Sequence, residues 1–259
     1  ITYLWGAVVA HRDASMRSLQ SVFQGEFSVV ILGQDNNAPG NFCNVNGGKG
    51  NFAGADKNYA VSGGGSENFA GSTFSTISGG TENVIKSFAQ KHCTISGGNN
   101  NVIGSVFFSS VITGGQTNRM DFGPEIDSIP GGTISGGENI NCSTEYGVAT
   151  GGASNAAKNV AAVAFGGLGN FVSGQSATSV GGEGNSINGD FSIGLGLRTI
   201  VDNDSSMVIN LIASSDFSDD FFGFESDTDV DGQFIVNAES FTFQIGKNRD
   251  DLRFQITED

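Results

Sequence analysis

The segment Asp227-Thr228-Asp229-Val230-Asp231-Gly232 sets three carboxylates at alternate positions ahead of a glycine. That is how a calcium loop opens, with alternating side-chain oxygens converging on one cation and the glycine making the sharp turn. The twelfth position is Ala238, however, and Glu239 comes one residue late, so the bidentate ligand of an EF-hand is displaced. Asp227, Asp229 and Asp231 are therefore candidate Ca²⁺ ligands in a non-EF-hand acidic loop, with a solvated acidic turn ahead of Phe234 as the plainer reading. No other cofactor is expected. Two histidines, His11 and His92, do not indicate a catalytic triad or a histidine metal site. Gly48-Lys49-Gly50 and Gly63-Gly64-Gly65 lack the strand-to-helix setting of a phosphate loop. Glu67, Glu82 and Glu138 fall in turns, where they read as solubilising charge rather than as paired carboxylates lining a glycosidase groove. The expectation is a protein that is not an enzyme.

The elements that position these residues come from an internal repeat. Gly-Gly-x-x-Asn recurs at intervals of 15 to 18 residues, with its asparagine at Asn51, Asn68, Asn83, Asn101, Asn118, Asn155, Asn170 and Asn185. Asn36 belongs to an earlier copy in which Leu32 replaces the first glycine, and Ile140 stands where asparagine is expected after Gly136-Gly137. The stretch around Met120-Asp121-Phe122-Gly123-Pro124 reads as a loop leaving the array.

Aligned on the glycine pair, the copies show chemically distinct columns. Four residues before the pair every side chain is small, from Ser28 and Cys43 through Ala162 and Ala177. Two before it stand mostly Val, Ile and Ala, and six after its first glycine all ten residues are apolar, from Ala38 to Ile187. Because strand side chains alternate, these columns predict two short strands per copy facing a thin interior. Cys43 and Cys93 share the small column three copies apart, ~14 Å at the interstrand spacing, beyond disulfide reach. A repeat this short suits one coil of a parallel β-solenoid. About ten coils rising by ~4.8 Å would give a rod ~48 Å long. The glycines supply left-handed turn conformations, and the asparagine amides at Asn36 through Asn185 are placed to form a ladder between coils.

The opposite strand face is expected to be apolar, with Phe27, Phe42, Tyr59, Phe74 and His92 five before the pair and Val29, Val61, Val111, Val148 and Val163 among those three before it. A strip of that size calls for a covering surface, so Phe27, Phe42, Tyr59, Phe74, Val111, Val148 and Val163 are the candidate interface of a homo-oligomer. Composition narrows the other partners. Twelve basic against 27 acidic residues leave a net charge of −15, which disfavours nucleic acid and anionic membrane surfaces. No apolar run is long enough to span a membrane. Gly at 40 of 259 with only 3 Pro excludes collagen, and 21 Phe argue against disorder.

Residues 1–26 are expected to cap the array, with a strand at Ile1-Thr2-Tyr3-Leu4-Trp5 and a helix-like stretch from Asp13 to Phe23. The repeat domain covers residues 27–200. Residues 201–259 hold 14 acidic and 3 basic side chains and read as an acidic C-terminal β extension, with strands at Met207-Val208-Ile209, Phe234-Ile235-Val236 and Phe241-Thr242-Phe243-Gln244-Ile245. Asn141-Cys142-Ser143 and Asn203-Asp204-Ser205 are glycosylation acceptors in a secreted eukaryotic setting, Asn203 being the better placed.

The run from Gly169-Asn170-Phe171-Val172-Ser173-Gly174 through Val180-Gly181-Gly182-Glu183-Gly184-Asn185 to Phe191-Ser192-Ile193-Gly194 resembles the YadA-like head repeat of trimeric autotransporter adhesins, also met in phage tail fibres. The resemblance covers roughly residues 27–200. It implies a left-handed parallel β-roll, three chains in a rigid trimer, an extracellular or cell-surface location, and attachment to matrix, carbohydrate or other appendage proteins. The longer coils, doubled glycine and insertion near residue 121 depart from that pattern. Two alternatives remain: a carbohydrate-binding or carbohydrate-active solenoid, and ice binding by a flat face. Thr76, Thr94, Thr133 and Thr178 share one column, but valine intervenes and no continuous threonine array forms, so a thermal-hysteresis assay is expected to be negative.

Overall fold

The computed structural model describes residues 7–9, 22–23, 25–31, 33–54, 58–86, 91–104, 108–121, 131–211, 224–225, 231–237, 240–244 and 253–257. Each coil contributes one short strand to each of two parallel sheets, one of 14 strands and one of 13, in which successive coils are hydrogen-bonded neighbours. The fold is an all-β parallel solenoid, with no helix among the described residues. Register is one coil onto the next: Thr76 sits opposite Val61 and Thr94, while Val84 sits opposite Phe69 and Val102. A third ladder of single bridges runs along one corner from Gln34↔Lys49 to Leu168↔Glu183.

The interior is the one the small and β-branched columns predict. Cys43, Ala60, Cys93, Ala162 and Ala177 line it from the four-before column. Val45, Ile77, Ile95, Ile112 and Ile134 line it from the two-before column, and Ala53, Ala70, Ile85, Ile103 and Met120 from the second sheet, all fully buried. Strands of two residues suffice because only one side chain per strand points inward before the chain must turn.

The turns explain the glycines. Gly48 has φ +84°, and a Cβ there would lie 2.0 Å from the carbonyl oxygen of Gly65 in the next coil. The second glycine of each pair is thus required twice, for its left-handed backbone and for the close approach of the neighbouring coil. The residue before each asparagine is also left-handed, as in Asp35, Glu67, Glu82 and Asn100.

Two expectations are corrected. Phe27, Phe42, Tyr59, Phe74 and His92 do not lie on a strand face; each occupies a corner with φ between 55° and 65°, just ahead of its strand. The corner angle, invisible in the alternation pattern, rotates them away from the column that follows. Val22–Phe23, the end of the stretch expected to be helical, is a strand paired with Asn37 and Ala38. The rest of that stretch, and the strand expected at Ile1 to Trp5, lie outside the described residues.

The solenoid also continues past the repeat. Ala7–Val9 pairs in parallel with Val29–Ile31, and at the other end Met207–Asn210 pairs with Phe234–Asn237. The runs at Met207 and Phe234 therefore extend the first sheet, and Phe224–Glu225 extends the second. Ser240–Gln244 and Arg253–Thr257 form a separate antiparallel pair.

Candidate functional surfaces

The buried asparagine column is the spine on which the surfaces are hung. Asn83 donates from Nδ2 to the carbonyls of Gly79 and Gly98 at 3.1 and 2.9 Å, and to Oδ1 of Asn68 at 3.1 Å. Its own Oδ1 accepts from the backbone N–H of Asn101 at 3.1 Å. The same pattern links Asn36, Asn51, Asn68, Asn83, Asn101 and Asn118, then Asn155, Asn170 and Asn185. Thr199 takes over the backbone contact at the last rung, donating its N–H to Asn185. Each amide joins its own coil to the next, and at Asn68, Asn83 and Asn101 Nδ2 also reaches Oδ1 in the coil before, so the outer surfaces are held in fixed register.

One corner carries an aromatic stack. Phe27, Phe42, Tyr59, Phe74 and His92 lie ring on ring with centroids 4.9 to 5.2 Å apart and planes within 11°. Their edges face solvent, with exposures of 58% for Phe27, 44% for Phe42, 45% for Tyr59 and 41% for Phe74. His92 ends the stack rather than standing in a catalytic cluster. Stacking of this kind contributes ~0.5–1.5 kcal/mol per pair beyond burial, comparable to the ~1–2 kcal/mol cost of a left-handed non-glycine residue. On the second sheet Phe52 and Phe69 stack similarly at 4.8 Å.

The outer face of the first sheet holds two columns, not one. The residues three before the glycine pair, Val61, Val111, Val148 and Val163 among them, are half-buried. The residues one before the pair point the same way, a consequence of strand alternation that the sequence reading passed over. From Val29 and Ile31 to Met207 and Ile209, neither column contains a Lys, Arg, Asp or Glu. In the middle coils the second column bears Ser78, Ser96, Thr113, Ser135 and Thr150; toward the C-terminal end it bears Phe165, Val180, Leu195 and Ile209. That end is apolar and open, with Phe165 47%, Val180 40%, Ile193 37% and Phe234 63% exposed.

Ionisable side chains are arranged for structure. Lys86 reaches over Gly104 to Asp121, Nζ to Oδ2 2.8 Å, and Arg119 bonds the same oxygen at 2.6 Å. A Cβ on Gly104 would strike Asp121, so the glycine clears the path. Burial pushes the Asp121 carboxyl up, but hydrogen bonds and charge from Lys86 and Arg119 outweigh it and hold the group below its ordinary value. Burial also raises the thiols of Cys43 and Cys93, and pushes Cys142 up to about 12, so these interior thiols stay protonated and unreactive.

Of the expected calcium ligands, Asp227 and Asp229 lie outside the described residues. Asp231 is exposed, and its Oδ1 accepts the backbone N–H of Asp204 at 3.2 Å, capping a turn. Among the described residues no group of three or more His, Cys, Asp or Glu is placed to hold a metal ion. Asn203, the better glycosylation acceptor by sequence, is 6% exposed, so its side chain is not presented to a transferase. No described helix is long and apolar enough to cross a membrane. No protein-family model matches the chain, and neither does any curated protein.

Proposed function

We propose that this chain is a non-enzymatic structural protein, a stiff β-solenoid rod that self-associates and works by presenting side chains at a fixed spacing from coil to coil. The supporting observation is the charge-free outer face of the first sheet, whose C-terminal coils carry Val163, Phe165, Val180, Ile193, Leu195, Met207, Ile209 and Phe234 in two adjacent columns. In a chain of net charge −15 such a face is kept uncharged for contact rather than for solubility. The apolar C-terminal coils are the contact region between copies; the aromatic corner at Phe27, Phe42, Tyr59 and Phe74, and Val111 and Val148 among the hydroxyl-bearing coils, lie outside it.

The resemblance to YadA-like heads supports three chains about a common axis, with an extracellular or cell-surface setting and attachment to matrix, carbohydrate or appendage partners. A rod with one surface period would engage partners that are themselves extended and periodic. Mass measured on the native particle tests the reading: a multiple of three chains is expected, and Val180→Asp, which sets a carboxylate in the apolar columns, should release single chains. A wild-type monomer at micromolar concentration would refute self-association.

A further inference from the structure

We propose that the middle of the first sheet's outer face, between Thr76 and Thr150, binds ice. The two columns here read Thr76 with Ser78, Thr94 with Ser96, Val111 with Thr113, Thr133 with Ser135, and Val148 with Thr150. Considered alone, the first column is broken by valine. With both columns in place, each of five successive coils carries one threonine, and wherever valine takes the first position threonine takes the second. Pairing from Thr76 through Thr94, Val111 and Thr133 to Val148 keeps the rows in register, and backbone bonds from Ser78, Ser96, Thr113 and Ser135 to the following coil fix the second column.

Three properties select ice over other occupants. First, the eight hydroxyls on these coils are exposed or half-buried and make no hydrogen bond to another described residue, so their donors and acceptors are available to water. Second, the lattice matches: hydroxyls recur every ~4.8 Å along the rod. Tetrahedral water bonded at ~2.75 Å places its second neighbours ~4.5 Å apart, within a few tenths of an ångström of that rise. Third, the face is neutral and stiff. Ile77, Ile95, Ile112 and Ile134 are fully buried beneath it, and the glycine pairs along one edge raise no side chain above it. Threonine and valine hold a single χ1 more firmly than unbranched side chains, so the array is ordered before ice arrives. A second copy packed here would have to pair every one of these hydroxyls with its own, and each one left without a partner costs ~1–3 kcal/mol.

The full chain tests this by partitioning into a slowly grown ice hemisphere, with ice recrystallisation followed in parallel. Wild type is expected to be enriched in the ice and to stop grain growth. Thr94→Tyr and Thr113→Tyr, each raising one ring above the hydroxyl rows, should lose both effects while keeping the wild-type melting temperature. Val84→Tyr, on the outer face of the second sheet, should keep both. Val180→Asp should also keep both, which separates this inference from self-association. Exclusion of wild type from ice would overturn the proposal, as would equal partitioning of wild type and Thr113→Tyr. Retention of wild type on crystalline cellulose but not in ice would overturn it in favour of a polysaccharide surface.

Discussion

At the scale of single residues, stability is concentrated in side chains whose chemistry has no substitute. Asn83 uses both ends of its amide, donating to Gly79 and Gly98 and accepting from Asn101. In Asn83→Asp the two carbonyls would face a carboxylate with no donor between them, so the folded state favours the protonated acid and its pKa rises well above the unfolded value. The cost is therefore small below the unfolded pKa and grows as pH rises, to roughly 3–5 kcal/mol at neutrality. Chemical denaturation at pH 3.5 and pH 7 measures it, and a pH-independent loss would contradict the ladder geometry. Phe42 poses the opposite balance, a left-handed backbone at φ 56° held by rings above and below it. Phe42→Ala loses the stack and keeps the strain, whereas Phe42→Gly loses the stack and releases the strain. The glycine variant should be the more stable by ~1 kcal/mol, inverting the usual order of these two residues.

At the scale of the coil, the two glycines of a pair have different duties. Gly152 has φ 71°, with a Cβ position 2.0 Å from the carbonyl of Gly167, while Gly151 has φ 57° and open space around it. Gly151→Asn should therefore fold with a melting temperature near wild type, since asparagine tolerates that backbone, whereas Gly152→Ala should fail to close the coil. Thermal melts of the two side by side decide it. Lys86, Arg119 and Asp121 tie two coils across Gly104, and the depressed carboxyl fixes the sign of their pH dependence. Their stabilisation is present above the unfolded pKa of Asp121 and disappears as pH falls through its lower folded value, so Asp121→Asn should flatten the acid side of the stability profile. Strands, interior and glycine pairs were legible because the small, β-branched and apolar columns repeat through ten copies. The corner at Phe42 was not, because alternation counting has no term for a residue that turns left-handed immediately before the strand. The second hydroxyl column was legible in principle: Ser96 lies two residues after Thr94, and strand alternation alone puts both on one face.

For the whole molecule, a solenoid behaves as a line of nearest-neighbour contacts, and its weakest junction sets its cooperativity. The strands at Met207–Ile209 and Phe234–Val236 were legible, but not their place as further coils of the solenoid, because they keep the sheet while dropping the glycine and asparagine signature; Met207 pairs with Phe234 across a gap no repeat period anticipates. The same independence of sheet and signature produces a weak point inside the array. Ile140 occupies an asparagine position, and its N–H donates to Asn118 at 2.9 Å, but it has no amide to accept from the next coil. Among the described residues the N–H of Asn155 finds no acceptor in that column, and the junction flanks the stretch where the repeat spacing is interrupted. Ile140→Asn would supply that acceptor and two donors, directed at the carbonyls of Gly136 and Gly152 by analogy with Asn83. Each new bond contributes ~1 kcal/mol, and satisfying a buried N–H adds ~1–3 kcal/mol. Against this stands ~1.5–3 kcal/mol for the lost burial of isoleucine. The expected outcome is a modest rise in melting temperature, together with hydrogen-exchange protection that extends evenly from Asn118 to Asn170. A lower melting temperature with exchange unchanged at Asn155 would show that apolar packing, not the ladder, carries the junction.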